Sequence, residues 1–199
     1  MSTYSPFSAK QLLPQEEKLE IAKHKSELFI GIPKEISYQE RRICLTPDAV
    51  SSLVSHGHRV MVECGAGKNA SFSDKDYSDA GAEVTHDTKK IFSCPIILKV
   101  EPPTLEEIEM MNMEAILISA IQLKTQKKEY FEAITKKKIT SLAFEFIKDS
   151  DGSYPAVKSL SEIAGTASVL IAAELMINNN DGKGLLFGNI TGVPPTEVV

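Results

Sequence analysis

The sequence has no tryptophan and only three cysteines, Cys44, Cys64 and Cys94, in 199 residues. They stand far apart, odd in number and without C-x-x-C spacing. That pattern excludes a disulfide framework and a cysteine-rich zinc module, and reads as free, buried thiols in a reducing compartment. No group of His, Cys, Asp and Glu has ligand spacing, so no metal site is expected. No continuous apolar run approaches the ~18 residues of a bilayer span. The N-terminus lacks the basic stretch and apolar run of a signal peptide. A cytoplasmic protein without membrane insertion is therefore expected. Positive charge is also in deficit, with 22 Lys and Arg against 27 Asp and Glu and a formal net charge of −5. Nucleic acid is not expected as a partner, because phosphate binding calls for clustered Lys and Arg. The run Lys136-Lys137-Lys138 reads as the solvated end of a helix.

What is present is a regular alternation. Residues 1–27 form an N-terminal extension whose polar helix, with Leu19, Ile21, Ala22 and Leu28 on a thin stripe, suits packing on a neighbour. Phe29–Ile32 is a short apolar run closed by Pro33, as a buried strand is. Thr46-Pro47 supplies an N-cap and an N1 proline to a helix that Gly57 stops. Arg59–Glu63 reads as a strand, and Gly65-Ala66-Gly67 as its turn. Ser73 caps a short helix to Gly81, Glu83–Thr85 is a further strand, and Asp87–Ser93 is a helical turn or two. Pro95–Val100 and Ala115–Ile121 are buried strands. Between them Thr104-Leu105-Glu106-Glu107 opens a helix as a capping box. Thr125–Lys138 is a helix and Ile139–Phe146 a strand. Strands and helices alternating in this way predict a doubly wound, mainly parallel α/β sheet with helices on both faces, Rossmann-like or flavodoxin-like. Chemistry is then expected at the carboxyl ends of the strands.

After Phe146 the pattern changes. Asp149-Ser150-Asp151-Gly152 signals a turn. Ser159 or Ser161 is expected to cap a long helix over Glu162–Ile177, apolar on nearly all sides and therefore sandwiched. Glu197-Val198-Val199 reads as the opening of another strand. The domain expectation is an extension at 1–27, a domain at 28–157, and an inter-domain helix with the start of a second domain at 158–199.

The run Gly31-Ile32-Pro33-Lys34-Glu35, followed by Glu40-Arg41-Arg42-Ile43-Cys44-Leu45-Thr46-Pro47, resembles the opening of alanine dehydrogenases and of the alpha subunit of proton-translocating NAD(P) transhydrogenase. Gly57–Val60, Glu63–Gly67, Ala80–Ala82, Ile97–Val100 and Ser161–Gly165 fall in that family's order and spacing, so the resemblance covers about residues 28 to 199. It implies the substrate-side N-terminal domain of an NAD-dependent oxidoreductase, with a small amino or oxo acid as substrate and a homo-oligomeric assembly. It also implies that NAD is held mainly by a domain following Val199. No G-x-G-x-x-G follows a strand within these residues, and Gly65-Ala66-Gly67 lacks the third glycine and the helix start of a pyrophosphate site.

By this resemblance Arg42 takes the substrate-carboxylate position, where a guanidinium grips a carboxylate with two parallel hydrogen bonds. The alternative is a surface Arg42 paired with Glu40. Lys99, Glu101 and Gln122 occupy the family's catalytic stretch. Glu101 stands where alanine dehydrogenases carry a second lysine, and Gln122 where they carry a histidine acid/base. A glutamate repels an incoming carboxylate, and a glutamine transfers no proton at neutral pH. Lys99 either reaches into the site or pairs with Glu101. Ser161 is the candidate cofactor contact, at a helix N-terminus or as a plain N-cap. None of His24, His56, His58 and His86 takes the catalytic place, and His56 and His58 flank the Gly57 helix stop as exposed caps. Three functions follow: an alanine dehydrogenase-like enzyme with altered substrate groups, a transhydrogenase alpha-like subunit, or a non-catalytic nucleotide- or metabolite-binding relative.

Overall fold

The computed structural model describes residues 27–188, 191 and 192. The expected N-terminal helix with His24, and the strand expected at Glu197–Val199, lie outside the described residues. Those described divide into two compact units that meet in the sequence between Leu142 and Ala143, earlier than the 157/158 boundary expected above.

The first unit holds the sheet. Its strands are β1 (Phe29–Ile32), β2 (Arg59–Glu63), β3 (Glu83–Thr85), β4 (Ile96–Leu98), β5 (Ile116–Ser119) and β6 (Thr140–Ala143). The order across the sheet is β3-β2-β1-β4-β5-β6. The pairs β3/β2, β2/β1, β1/β4 and β4/β5 are all parallel. This is the doubly wound order of a Rossmann-type sheet. Parallel strands need crossovers, and helices α1 (Pro47–Ser55), α2 (Asp74–Asp79), α3 (Thr88–Phe92), α4 (Leu105–Met110) and α5 (Lys128–Lys136) lie between successive strands.

Local chemistry sets these elements. Thr46 caps α1, with Pro47 at its first position, and Ser73 and Thr104 each form a full capping box. Val60, Met61 and Val62 are all buried, so β2 is covered on both faces. Ile30, Ile32, Val50, Val60, Val62 and Tyr77 form the core beside it, each large apolar group contributing about 1.5–3 kcal/mol on burial. Gly31 is required by close approach, because a Cβ there would lie 2.6 Å from the Ile91 carbonyl oxygen and 3.1 Å from Cys94. The Tyr77 hydroxyl donates to the Leu45 carbonyl at 2.9 Å and so ties α2 to the loop after β1. Burial pushes its phenol up to about 12.

The elements differ from expectation mainly at their ends. Helix α5 begins at Lys128, and β6 stops at Ala143 before a 3₁₀ turn over Phe144–Phe146. The expected solvated run Lys136–Lys138 is only partly solvated. Lys137 is half-buried and donates to the Glu109 and Met111 carbonyls.

The second unit contains helix α6, Pro155–Met176. It starts seven residues before the expected Glu162 because Pro155, in which the missing N–H costs nothing, takes the first position. Tyr154 is its N-cap, so neither Ser159 nor Ser161 caps it. The expected sandwiching is not observed either: none of its described residues is buried, and Ile163, Leu170 and Leu175 are about two-thirds exposed. Helix α6 also corrects the count of apolar runs. Serine, threonine, glycine and glutamate interrupt the apolar residues, yet an 18-residue window averages a mean hydropathy of 1.3. By length and composition alone, that is enough to cross a bilayer.

Candidate active site at the carboxyl edge of the sheet

Strand β1 has β2 on one side and β4 on the other, so the strand order reverses between β1 and β4. Ligands of open α/β sheets bind at such a switch point, outside the carboxyl ends of the strands. The loop after β1 carries Glu35, Glu40 and Arg42, the segment after β4 carries Lys99 and Glu101, and the segment after β5 carries Gln122. Sheet topology alone gathers residues distant in sequence at one edge.

Two ion-paired groups form there. Lys99 is 1% exposed, and its Nζ lies 3.1 Å from Glu35 Oε2 and 3.4 Å from Glu107 Oε2. The other oxygen of Glu35 accepts from the Val100 amide at 2.6 Å. Glu107 also closes the Thr104 capping box by accepting from the Thr104 amide at 2.7 Å. Lys99 therefore neither opens into the site nor pairs with Glu101. It is a buried staple joining the loop after β1, the end of β4 and the start of α4.

The second group is open to solvent. Arg42, whose side chain is half exposed, donates from Nε to Glu40 Oε1 at 2.9 Å and from Nη2 to Glu40 Oε2 at 2.6 Å. Its Nη2 also lies 3.6 Å from Glu101 Oε1. Gln122 Nε2 donates to Glu101 Oε2 at 2.9 Å, and the Thr125 hydroxyl donates to the Gln122 main-chain carbonyl at 2.9 Å, with Gln122 Oε1 3.4 Å away. Because an ionised carboxylate only accepts, the NH2 end of the Gln122 amide is the one that faces Glu101. Gln122 itself has a positive φ of 51°, a left-handed conformation uncommon outside glycine and Asn.

Electrostatics follow from these contacts. The Arg42 guanidinium holds the Glu40 carboxyl down to about 2, against the cost of burial, and Glu40 in turn raises Arg42. Burial pushes the nearby Cys44 thiol up to about 12, with the Glu35 charge adding to it. Four carboxylates face two cations in the combined cluster, a formal charge of −2. A cleft of about 430 Å³ lies alongside, lined by Thr104, Thr125, Gln126 and Tyr130 among others.

Arg42, Glu101 and Gln122 are thus brought together. The expected pairing of Arg42 with Glu40 is present as well, and Glu40 bonds through Nε and Nη2, leaving Nη1 unused by that pairing. Glu35 and Glu107 also build the site, and each carries a signal in the sequence. One is the acidic residue just after an apolar strand, and the other is the fourth residue of a capping box.

Ser161 lies in the other compact unit, in the second turn of α6 and exposed. It has no helix-terminal N–H groups around it, which corrects its expected place at a helix N-terminus. The turn Gly65-Ala66-Gly67 leads into a 3₁₀ turn, Lys68–Ala70. A Cβ on Gly67 would lie 2.6 Å from Tyr77 and 3.0 Å from Phe72, so this glycine serves packing and not a phosphate. The described residues do not fit a dinucleotide pyrophosphate. His56 is the exposed C-cap of α1, whereas His58, expected to be exposed, is half-buried and accepts from the Leu28 amide at 3.3 Å. Among the described residues no group of three His, Cys, Asp or Glu could hold a metal ion.

Comparison with known proteins gives the family. The family described as "Alanine dehydrogenase/PNT, N-terminal domain" matches residues 31–164. An alanine dehydrogenase of Staphylococcus epidermidis is 38% identical over 169 residues, covering 85% of this chain and 45% of that protein. One from Methanococcus maripaludis is 37% identical over 173 residues, covering 86% and 46%. Among solved structures, an L-alanine dehydrogenase superposes with a TM-score of 0.79 at 35% identity, over 84% of this chain and 46% of that one. A transhydrogenase from Sinorhizobium meliloti gives a TM-score of 0.55 at 30% identity, over 60% and 35%. The chain spans about half the length of the curated relatives it matches.

Proposed function

Because this chain belongs to the alanine dehydrogenase/transhydrogenase N-terminal domain family, we propose that it is the substrate-side domain of an NAD(H)-dependent oxidoreductase that oxidatively deaminates a small amino acid, reversibly. The observation that carries this reading is Arg42, held at the switch point of the sheet with its outer guanidinium edge facing solvent. A guanidinium has five N–H donors. Glu40 takes one from Nε and one from Nη2, leaving both on Nη1 and the second on Nη2. Those remaining donors suit a bidentate grip on a substrate carboxylate.

In this arrangement Glu40 positions the guanidinium, and Gln122 positions Glu101. Among the described residues no histidine stands at the site, so a proton leaving the substrate passes to water, to Glu101, or to a residue outside the described part. NAD is held mainly by sequence outside these residues, with the Ser161 hydroxyl as this chain's own contact. The transhydrogenase reading is the weaker one, since the solved dehydrogenase overlays more of the chain at higher identity. A cytoplasmic homo-oligomer completes the proposal. Its three free thiols suit a reducing compartment.

The test is NADH formation by the full-length protein with a panel of small amino acids. Turnover that Arg42→Ala lowers at least about a hundredfold, the loss of a bidentate charged contact, supports the reading. No turnover with any of the panel would sink it and favour a non-catalytic binding protein.

A further inference from the structure

From the Arg42–Glu101 pair we infer that Glu101 anchors the ammonium group of a zwitterionic amino acid, so that the site distinguishes the amino acid from the corresponding anionic oxo acid. This deepens the dehydrogenase reading and rests on it.

The geometry is specific. One oxygen of Glu101 faces Arg42 Nη2 at 3.6 Å, a separation that holds two opposite charges in register without a tight hydrogen bond. Its other oxygen accepts from Gln122 Nε2, and the Gln122 main-chain carbonyl in turn accepts from the Thr125 hydroxyl. Glu101 is therefore oriented, with Oε2 taken by Gln122 and Oε1 the oxygen nearest the guanidinium, on a side chain 23% exposed. The inner edge of Arg42 belongs to Glu40, so an incoming carboxylate docks on Nη1 and the outer side of Nη2, next to Glu101. An α-amino acid carries its ammonium on the carbon beside its carboxylate. Its two charges are thus adjacent, as the charges of Arg42 and Glu101 are, with each opposite its complement.

Charge balance points the same way. The cluster of Glu35, Glu40, Glu101, Glu107, Lys99 and Arg42 carries a formal −2. An oxo acid brings a negative charge and nothing to satisfy Glu101. A zwitterion brings no net charge and gives Glu101 an ammonium partner, whose hydrogen bonds are charge-assisted on both sides. Discrimination arises as much from the unfavourable pairing with one ligand as from the favourable pairing with the other.

The experiment uses the full-length protein and measures KM for L-alanine in the deaminating direction and for pyruvate in the aminating direction. Glu101→Gln keeps the shape and removes the charge. It is expected to raise KM for L-alanine about tenfold or more, the effect of losing one charged hydrogen bond, and to leave KM for pyruvate unchanged or lower it. Glu101→Asp, which keeps the charge on a shorter stem, is expected to raise the alanine value less and to spare the pyruvate value. It serves as the reading variant should the glutamine form not fold. Equal changes in both KM values, or none in either, would overturn the inference while leaving the dehydrogenase function standing. If no amino acid is turned over, the functional reading falls and calorimetry decides this point separately. A preference for L-alanine over pyruvate that Glu101→Gln abolishes supports the anchor, and a preference for pyruvate, or one that survives the substitution, rejects it.

Discussion

Arg42 and Glu40, two residues apart, are joined by two side-chain hydrogen bonds of 2.9 and 2.6 Å, and the Arg42 amide adds a third to Glu40 at 2.8 Å. The loop after β1 thus holds its own guanidinium before any ligand arrives, and so limits the rotamer entropy that binding must remove. Glu40→Gln keeps the side chain's size but weakens the fork. KM for an amino acid substrate is expected to rise several-fold with a smaller change in kcat, as steady-state kinetics will show.

The same pair gives a pH prediction. Glu40 titrates at about 2 in the folded protein, against about 4.3 for a free glutamate. A depressed carboxyl contributes stability that is fully present above the unfolded value and is lost as pH falls toward the folded one. The stability difference between wild type and Glu40→Gln is therefore expected to hold from pH 7 to about 5 and to shrink below about 4. Urea denaturation across that range measures it. A difference that grows on acidification would contradict the assignment.

Among the described residues, Lys99 is the cation that pairs with two carboxylates that are each less than a tenth exposed. Replacing it with methionine fills the space but leaves Glu35 and Glu107 buried without their counter-charge. Removing one partner of a buried ionic group costs about 3–5 kcal/mol. Chemical denaturation of Lys99→Met should show a loss in that range. A loss below about 1 kcal/mol would mean that the backbone amides of Val100 and Thr104 suffice to hold the two carboxylates.

Gly31→Ala tests packing at the centre of the sheet. The added methyl would sit 2.6 Å from a backbone oxygen, which cannot move aside as a flexible side chain can. Overpacking of this kind costs about 1–3 kcal/mol, and the expected sign is loss despite the better strand propensity of alanine. A thermal melt at or above that of wild type would rule out the close approach of α3 to β1.

The cysteines should be slow to react. Burial pushes Cys44 up to about 12 and Cys94 up to about 11, and the Asp74 carboxylate that accepts from Cys64 raises that thiol too. Since the thiolate is the reactive form, labelling of the folded protein by iodoacetamide should be far slower at pH 8 than that of the urea-unfolded chain. Comparable rates would show that the thiols are more accessible than this fold allows.

Much of the first unit could be read from the residues because its signals are local. Thr46-Pro47, Ser73 and the Thr104–Glu107 box fix the starts of three helices, at Pro47, Asp74 and Leu105. The apolar runs around Ile30, Val62, Ile97 and Leu117 mark the central strands, of which those at Ile30 and Val62 are buried on both faces. Helix α6 was harder. Two serines near its start look like caps, but Pro155 nucleates the helix earlier, and a hydroxyl inside a turn has no free N–H group to accept from. Arg42, Glu101 and Gln122 were visible as candidates from the resemblance alone. Their mutual contacts were not, because a hydrogen bond between Glu101 and Gln122 depends on where two loops end in space. The partners of Lys99 were hidden for the same reason: sequence proximity favoured Glu101, while the fold supplied Glu35 from 64 residues away.

That separation has a kinetic meaning. The bonds from Glu35 to Lys99 and to the Val100 amide close loops of 64 and 65 residues, across a β1–β4 seam made of only two paired positions. Local elements can form as the chain emerges from the ribosome, but the site cannot. Until β4 has docked on β1, Arg42 and Glu101 have no common surface, so the pair forms only with the slow, long-range part of folding.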